Sequence, residues 1–208
     1  MDRFNQELLK WTRETSKKSK QCKKGLKLGG VEVFIGLKQL KSETKFLDAC
    51  LEYWDPIYHV FRFPGGEICP LVKEFDAIAG WLHRLQPVAS LADVGYKKKF
   101  ETFFKLTSNV VNRLFIGDRV DMVVFVTYFS NFENKSILIE SRCRALAFCL
   151  LHRDCFEGNI SEGCLGNPRL IDFVSQMKHG KNPSSAILAE TILGLNARRE
   201  SRCRPYSG

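Results

Sequence analysis

A chain of 208 residues, 44% hydrophobic and carrying 16 Phe, is long enough for one sizeable core and short for two, which excludes a polar disordered tail. No apolar run approaches the roughly 18 residues of a membrane span. The opening Met1-Asp2-Arg3-Phe4-Asn5-Gln6 lacks the apolar stretch of a signal peptide, so the eight cysteines are expected to be reduced thiols of an intracellular protein. A formal net charge of +9 favours polyanions or an acidic partner, and is equally compatible with a basic soluble surface.

Phe4, Leu8, Leu9 and Trp11 recur at helical spacing and predict an amphipathic N-terminal helix. Lys17, Lys18, Lys20, Lys23, Lys24 and Lys27 then crowd a polar stretch ending at Gly29-Gly30. Such a run repels itself too strongly to pack, so residues 1–30 read as a helix and a basic linker. The lysines suit phosphate neutralisation or nuclear import, and suit a solvated face as well. Val31-Glu32-Val33-Phe34-Ile35 fits a short strand or a helix start.

Ser42 is a plausible N-cap for a helix burying Phe46, Leu47, Cys50, Leu51 and Trp54, which Asp55-Pro56 stops. Residues 57–63 are β-branched and aromatic, with Ile57, His59, Phe61 and Phe63 on one side if extended. Pro64-Gly65-Gly66 turns the chain, and Pro70 suits the first turn of a helix running to Gln86-Pro87 with Leu71, Val72, Phe75, Ile78, Ala79 and Leu82 as its apolar face. Glu74 and Asp76 stand near its start, the favourable end of the dipole for acids.

After a loop at 88–95, Lys97-Lys98-Lys99 opens one amphipathic helix through Leu114, broken by Gly117-Asp118. Residues 120–129 are apolar nearly all round and read as a buried helix, with a buried strand as the competing assignment. A polar loop at 131–136 leads to an apolar helix over 137–152 with Glu140, Arg142 and Arg144 on its exposed side. Residues 158–168 read as a loop, 169–178 as an amphipathic helix, and His179-Gly180-Lys181-Asn182-Pro183 as a stop and restart. The last helix is expected over 184–196, and the basic tail beyond it, with four arginines and no apolar face, as disordered. The expected architecture is mainly α, a single helical domain over 31–197 with a small β element at about 57–68.

Two segments carry a family resemblance. The first is Tyr53-Trp54-Asp55-Pro56, the aromatic run with Phe61 and Phe63, the turn with Glu67, and Pro70 leading to Glu74-Phe75-Asp76-Ala77-Ile78-Ala79-Gly80. The second is Asn182-Pro183-Ser184-Ser185-Ala186-Ile187-Leu188-Ala189-Glu190-Thr191, followed by Leu195-Asn196. Together, in this order, they resemble the plant mobile domain family, and more closely the related plant domain labelled aminotransferase-like. The match departs at Cys69 and Leu71, where the family has threonines, a loss of about 1 kcal/mol of helix capping unless replaced. It also departs at Gly80-Trp81, where a Leu- and Pro-rich turn is common. Family members are longer, which is what a fragment, a degenerate transposon copy or a truncated gene would give. The resemblance implies a plant protein of transposon origin with a nuclear role and no established enzymatic activity.

The residues were weighed for chemistry separately. A pyridoxal-phosphate enzyme needs a buried lysine and a phosphate-cradling loop; the lysines here are clustered, and Pro64-Gly65-Gly66-Glu67 reads as a turn. Asp48, Asp55, Glu67, Asp76, Asp121 and Glu140 are available for a two-metal nuclease or transposase, but none sits in a diagnostic motif. Cys149, His152 and Cys155, with Cys143 and Cys164 nearby, offer zinc ligands without the paired knuckle spacing. On a continuous helix Cys155 lies roughly 60° further round, and core packing is the simpler use of free cysteines. The expected function is therefore a non-enzymatic nuclear interaction protein, with cytoplasm as the alternative location. It is expected to need no cofactor or small-molecule ligand, and to touch nucleic acid, if at all, through the lysines at 17–24, Lys97, Lys98 and Lys99. A nucleic-acid-processing enzyme fragment and a zinc-stabilised adaptor are the alternatives.

Overall fold

The computed structural model describes residues 3–18, 44–84, 86–89, 95–131, 133, 137–153 and 164–203. The elements are α1 (Arg3–Lys18), α2 (Thr44–Leu51), β1 (Trp54–Asp55), β2 (Val60–Phe63), β3 (Gly66–Ile68), α3 (Val72–Ala79), α4 (Tyr96–Phe104), α5 (Ser108–Leu114), β4 (Phe115–Ile116), β5 (Arg119–Asp121), α6 (Met122–Ser130), α7 (Ile139–Leu151), β6 (Leu165–Gly166), α8 (Leu170–Lys178) and α9 (Ser184–Cys203). The fold is mainly α, as the periodicity predicts, with two small antiparallel sheets ordered β1-β2-β3 and β4-β5-β6. Lys20, Lys23, Lys24, Cys155 and the 31–35 segment lie outside the described residues.

The core is built on phenylalanine. Phe100 and Phe104 from α4, Phe125 and Phe129 from α6 and Phe148 from α7 are all fully buried. Their rings meet at centroid distances of 5.2 Å (Phe100–Phe104), 5.4 Å (Phe104–Phe125), 4.8 Å (Phe125–Phe129) and 5.2 Å (Phe125–Phe148). Tilted and edge-on pairs of this kind add about 0.5–1.5 kcal/mol each beyond area burial. The predicted α1 face closes over this cluster: Phe4, Leu8 and Trp11 are buried in it, and α1 packs on α6.

Several boundaries differ from the periodicity, each for a local reason. The helix expected over 97–114 is two helices. Lys105 takes a left-handed conformation (φ 55°) and the N–H of Leu106 reaches back to the carbonyl of Glu101 (3.0 Å), closing α4 in a Schellman-type cap. Gly80 (φ 68°) does the same for α3, where the N–H of Trp81 donates to Asp76 (2.7 Å). The helix therefore stops at Ala79 instead of Gln86, leaving Ile78 and Leu82 exposed and Trp81 buried. Pro70 precedes the N-cap, Leu71, rather than entering the helix.

Gly117-Asp118 is a hairpin turn rather than a helix break, joining β4 to β5 with Ile116 opposite Arg119. Val120 belongs to β5, and α6 starts at Met122 with Asp121 as its N-cap, its Oδ1 accepting from the N–H groups of Val123 and Val124 at 3.0 Å. Gly166 of β6 pairs with Val120, and a Cβ there would fall 2.4 Å from Sδ of the buried Met122, whose side chain would have to shift to admit it. The β element near 57–68 begins earlier than expected. Trp54 and Asp55 pair with Phe61 and Val60, residues 56–59 form a turn, and Ile57 is 79% exposed rather than on a buried side. Finally, α9 runs through Cys203, so the tail expected to be disordered is helical as far as that residue.

Arg142 was expected on the exposed side of α7 and is buried instead. Its guanidinium donates to the carbonyls of Phe129 and of Asn131 (2.7 Å), the unpaired end of α6. Arg144 likewise reaches the Phe103 carbonyl near the end of α4, and buried Arg84 donates to the carbonyls of Met177 (3.0 Å) and Lys181 (3.2 Å) at the end of α8. Cations are favourable at these carbonyl ends. Part of the positive charge is thus used internally, to close helices.

Candidate interaction surface

The first sheet and α9 come together at Trp54. Its ring is 2% exposed and packs on Phe61 (centroids 4.8 Å apart), while Nε1 donates to Oδ1 of Asn196 on α9 (2.8 Å). Phe63, two residues along β2 and so on the same face as Phe61, stacks on it at 6.1 Å and packs on Tyr53 at 4.9 Å. Asp55 organises the turn between β1 and β2: Oδ1 accepts from the N–H groups of Ile57 (2.9 Å) and Tyr58 (3.1 Å). The Tyr58 and Ile57 amides and the Arg62 guanidinium hold the Asp55 carboxyl below its usual range, against a partial opposing effect of burial. Arg62 bridges Asp55 (3.1 Å) and Glu67 (3.1 Å) and lies over the Tyr58 ring at 4.8 Å. The Asp-Pro stop and the Glu67 turn are thus tied by one arginine.

A second junction lies at Asp76 on α3. Its Oδ1 accepts from Nδ2 of Asn182 (2.7 Å) and from Oγ of Ser184 (2.6 Å), and Oδ1 of Asn182 accepts from the Ser184 N–H (2.9 Å). Asn182, Pro183 and Ser184 are all buried. The Asn182 backbone is clamped from the other side, donating to the Gln86 carbonyl (2.7 Å) and accepting from the Val88 N–H (2.9 Å). Every buried polar group named here has a partner, as a rigid junction requires. Further along α9, Ala189 is exposed and Glu190 is half-buried, with no hydrogen bond or ion pair among the described residues; burial raises its carboxyl pKa.

At the end of this junction lies an open groove of about 360 Å³, lined by Glu52, Tyr53, Trp54, Asp55, Pro56, Ile57, Arg62 and Arg199. Of its lining, Ile57 and Tyr53 (40%) are exposed, and Tyr58 (66%), next to Ile57 in the turn, is exposed outside it. Pro56 and Glu67 are exposed, and Pro70 is half-buried beyond the sheet. Leu71, the N-cap residue of α3, provides no side-chain cap. Glu74 replaces it from the other direction, its Oε2 accepting the Leu71 N–H at 3.0 Å.

No protein-family model matches the chain, and neither does any curated protein or solved structure.

The other candidate residues fall elsewhere. Lys97 donates to Asn112 (3.3 Å) and lies over the Phe115 ring, and Lys98 pairs with Glu101 at 2.8 Å. Lys99 grips both oxygens of the buried Asp172 (2.9 and 3.0 Å), an acid within hydrogen-bond reach of the Tyr96 hydroxyl as well. Lys97 and Lys99 thus tie α4 to α5 and α8, whereas Lys98 pairs within α4 and keeps an exposed side chain. Lys17 and Lys18 close α1.

Asp55, Asp76 and Asp121 serve a turn, a junction and a helix cap respectively. Among the described residues no three His, Cys, Asp or Glu side chains gather closely enough to hold a metal ion. Cys143 and Cys149 are buried in the core, and His152 packs on the Phe4 ring at 5.6 Å. Two functional residues carry no sequence signal: Arg199 of the groove falls in the stretch read as tail, and Arg84, which donates to the Met177 and Lys181 carbonyls, lies within the stretch read as a helix running to Gln86. The Asn182–Asp76 pair had a signal, because both residues stand inside the two resembling segments.

Proposed function

We propose that the chain is a non-enzymatic interaction protein related to the plant mobile domain proteins, transposon-derived and acting in the nucleus through protein contacts. The observation that carries this reading is the meeting of its two resembling segments, Trp54 with Asn196 and Asp76 with Asn182 and Ser184. Residues spent on joining two segments define a fold rather than a reaction. The groove beside the joint offers Tyr53 and Ile57, with Tyr58 exposed next to Ile57 in the same turn, side chains of the kind that anchor protein interfaces. The basic balance supports an additional, sequence-tolerant contact with nucleic acid. That contact is assigned to the lysines at 17–24, the exposed Lys98 and the arginine-rich C-terminus, with Lys97 and Lys99 contributing less because they already pair with Asn112 and Asp172.

Affinity capture from plant nuclei tests the protein contact. The whole chain is compared with an Ile57→Glu, Tyr58→Ala double variant that melts at the same temperature. Proteins recovered by the first and lost with the second support the groove; equal recovery from both overturns it. For nucleic acid, a labelled duplex is titrated at rising salt. Binding that survives Gln at Lys17, Lys18, Lys20, Lys23 and Lys24 unchanged removes that segment from the reading.

A further inference from the structure

We draw no further inference here: the strongest candidate, the open groove between β1 and the C-terminal half of α9, belongs to the site already described, and its acids Glu52 and Asp55 are balanced by Arg62 and Arg199, so nothing in the structure shows what covers its exposed Tyr53 and Ile57.

Discussion

The phenylalanine core of α4, α6 and α7 and the junction of α9 with the first sheet and α3 are held by different physics. The core is non-directional: five rings with no polar atoms fill one volume, and any well-packed apolar set of that size would serve. The junction buries few apolar side chains (Leu51, Trp54, Pro183, Ile187 and Leu188 among them) and relies on directed bonds at Trp54 and Asp76. A region of the first kind supplies stability. One of the second kind supplies register, because a buried donor that misses its acceptor costs about 1–3 kcal/mol.

Breaking each region should therefore look different. Phe125→Ala opens a cavity among four neighbouring rings and is expected to cost about 3–5 kcal/mol in denaturant unfolding. A cost below about 1 kcal/mol would mean the core is loosely packed. Asp76→Ala strands the Asn182 amide and the Ser184 hydroxyl, with an expected cost of about 1–3 kcal/mol. In a double-mutant cycle with Ser184→Ala the two losses should be non-additive; strict additivity would contradict a shared junction.

Trp54→Phe keeps most of the ring and loses the bond to Asn196, a loss of about 1 kcal/mol. Hydrogen exchange should then rise in β1 and β2 while α6 and α7 stay protected, which separates the two regions directly.

The smallest effects are titrations. Glu190 has a carboxyl pKa raised by burial, so the folded state holds more protons than the unfolded state above the free value of 4.5. Its contribution to stability falls as pH rises from there through the folded pKa. Glu190→Gln should stabilise the protein slightly at pH 7 and change nothing at pH 3. Asp55 has the opposite sign: its lowered pKa gives a contribution present above 3.8 and lost as pH falls through the folded value. Asp55→Asn should flatten the acid limb of the melting profile, and an unchanged limb would show that the turn amides do not depend on the charge.

Much of the fold was legible in the chain. Periodicity located α1 and α8 closely because each buries one apolar face, and α7 because its apolar residues run nearly all round it. Helix ends were read less well. Lys105 in a left-handed conformation carries no sequence signature, whereas Gly80 does and was overruled by apolar spacing that continued through Leu82. Arg142 was misread for a related reason. A charge in an apolar helix looks exposed until the carbonyls it caps are known to lie above it.

In the stretch from Tyr53 to Pro70, local chemistry is enough to mark the backbone features. Asp55-Pro56 determines a stop, Pro64-Gly65 a turn, and the aromatic run between them a strand, since each acts through its own backbone. That Trp54 and Asp76 join distant parts of the chain was decided only by tertiary structure. Asn196 and Ser184 lie more than a hundred positions away from the partners that bind them. Directed bonds of that span leave no periodic trace in the chain, because they depend on where α9 comes to rest.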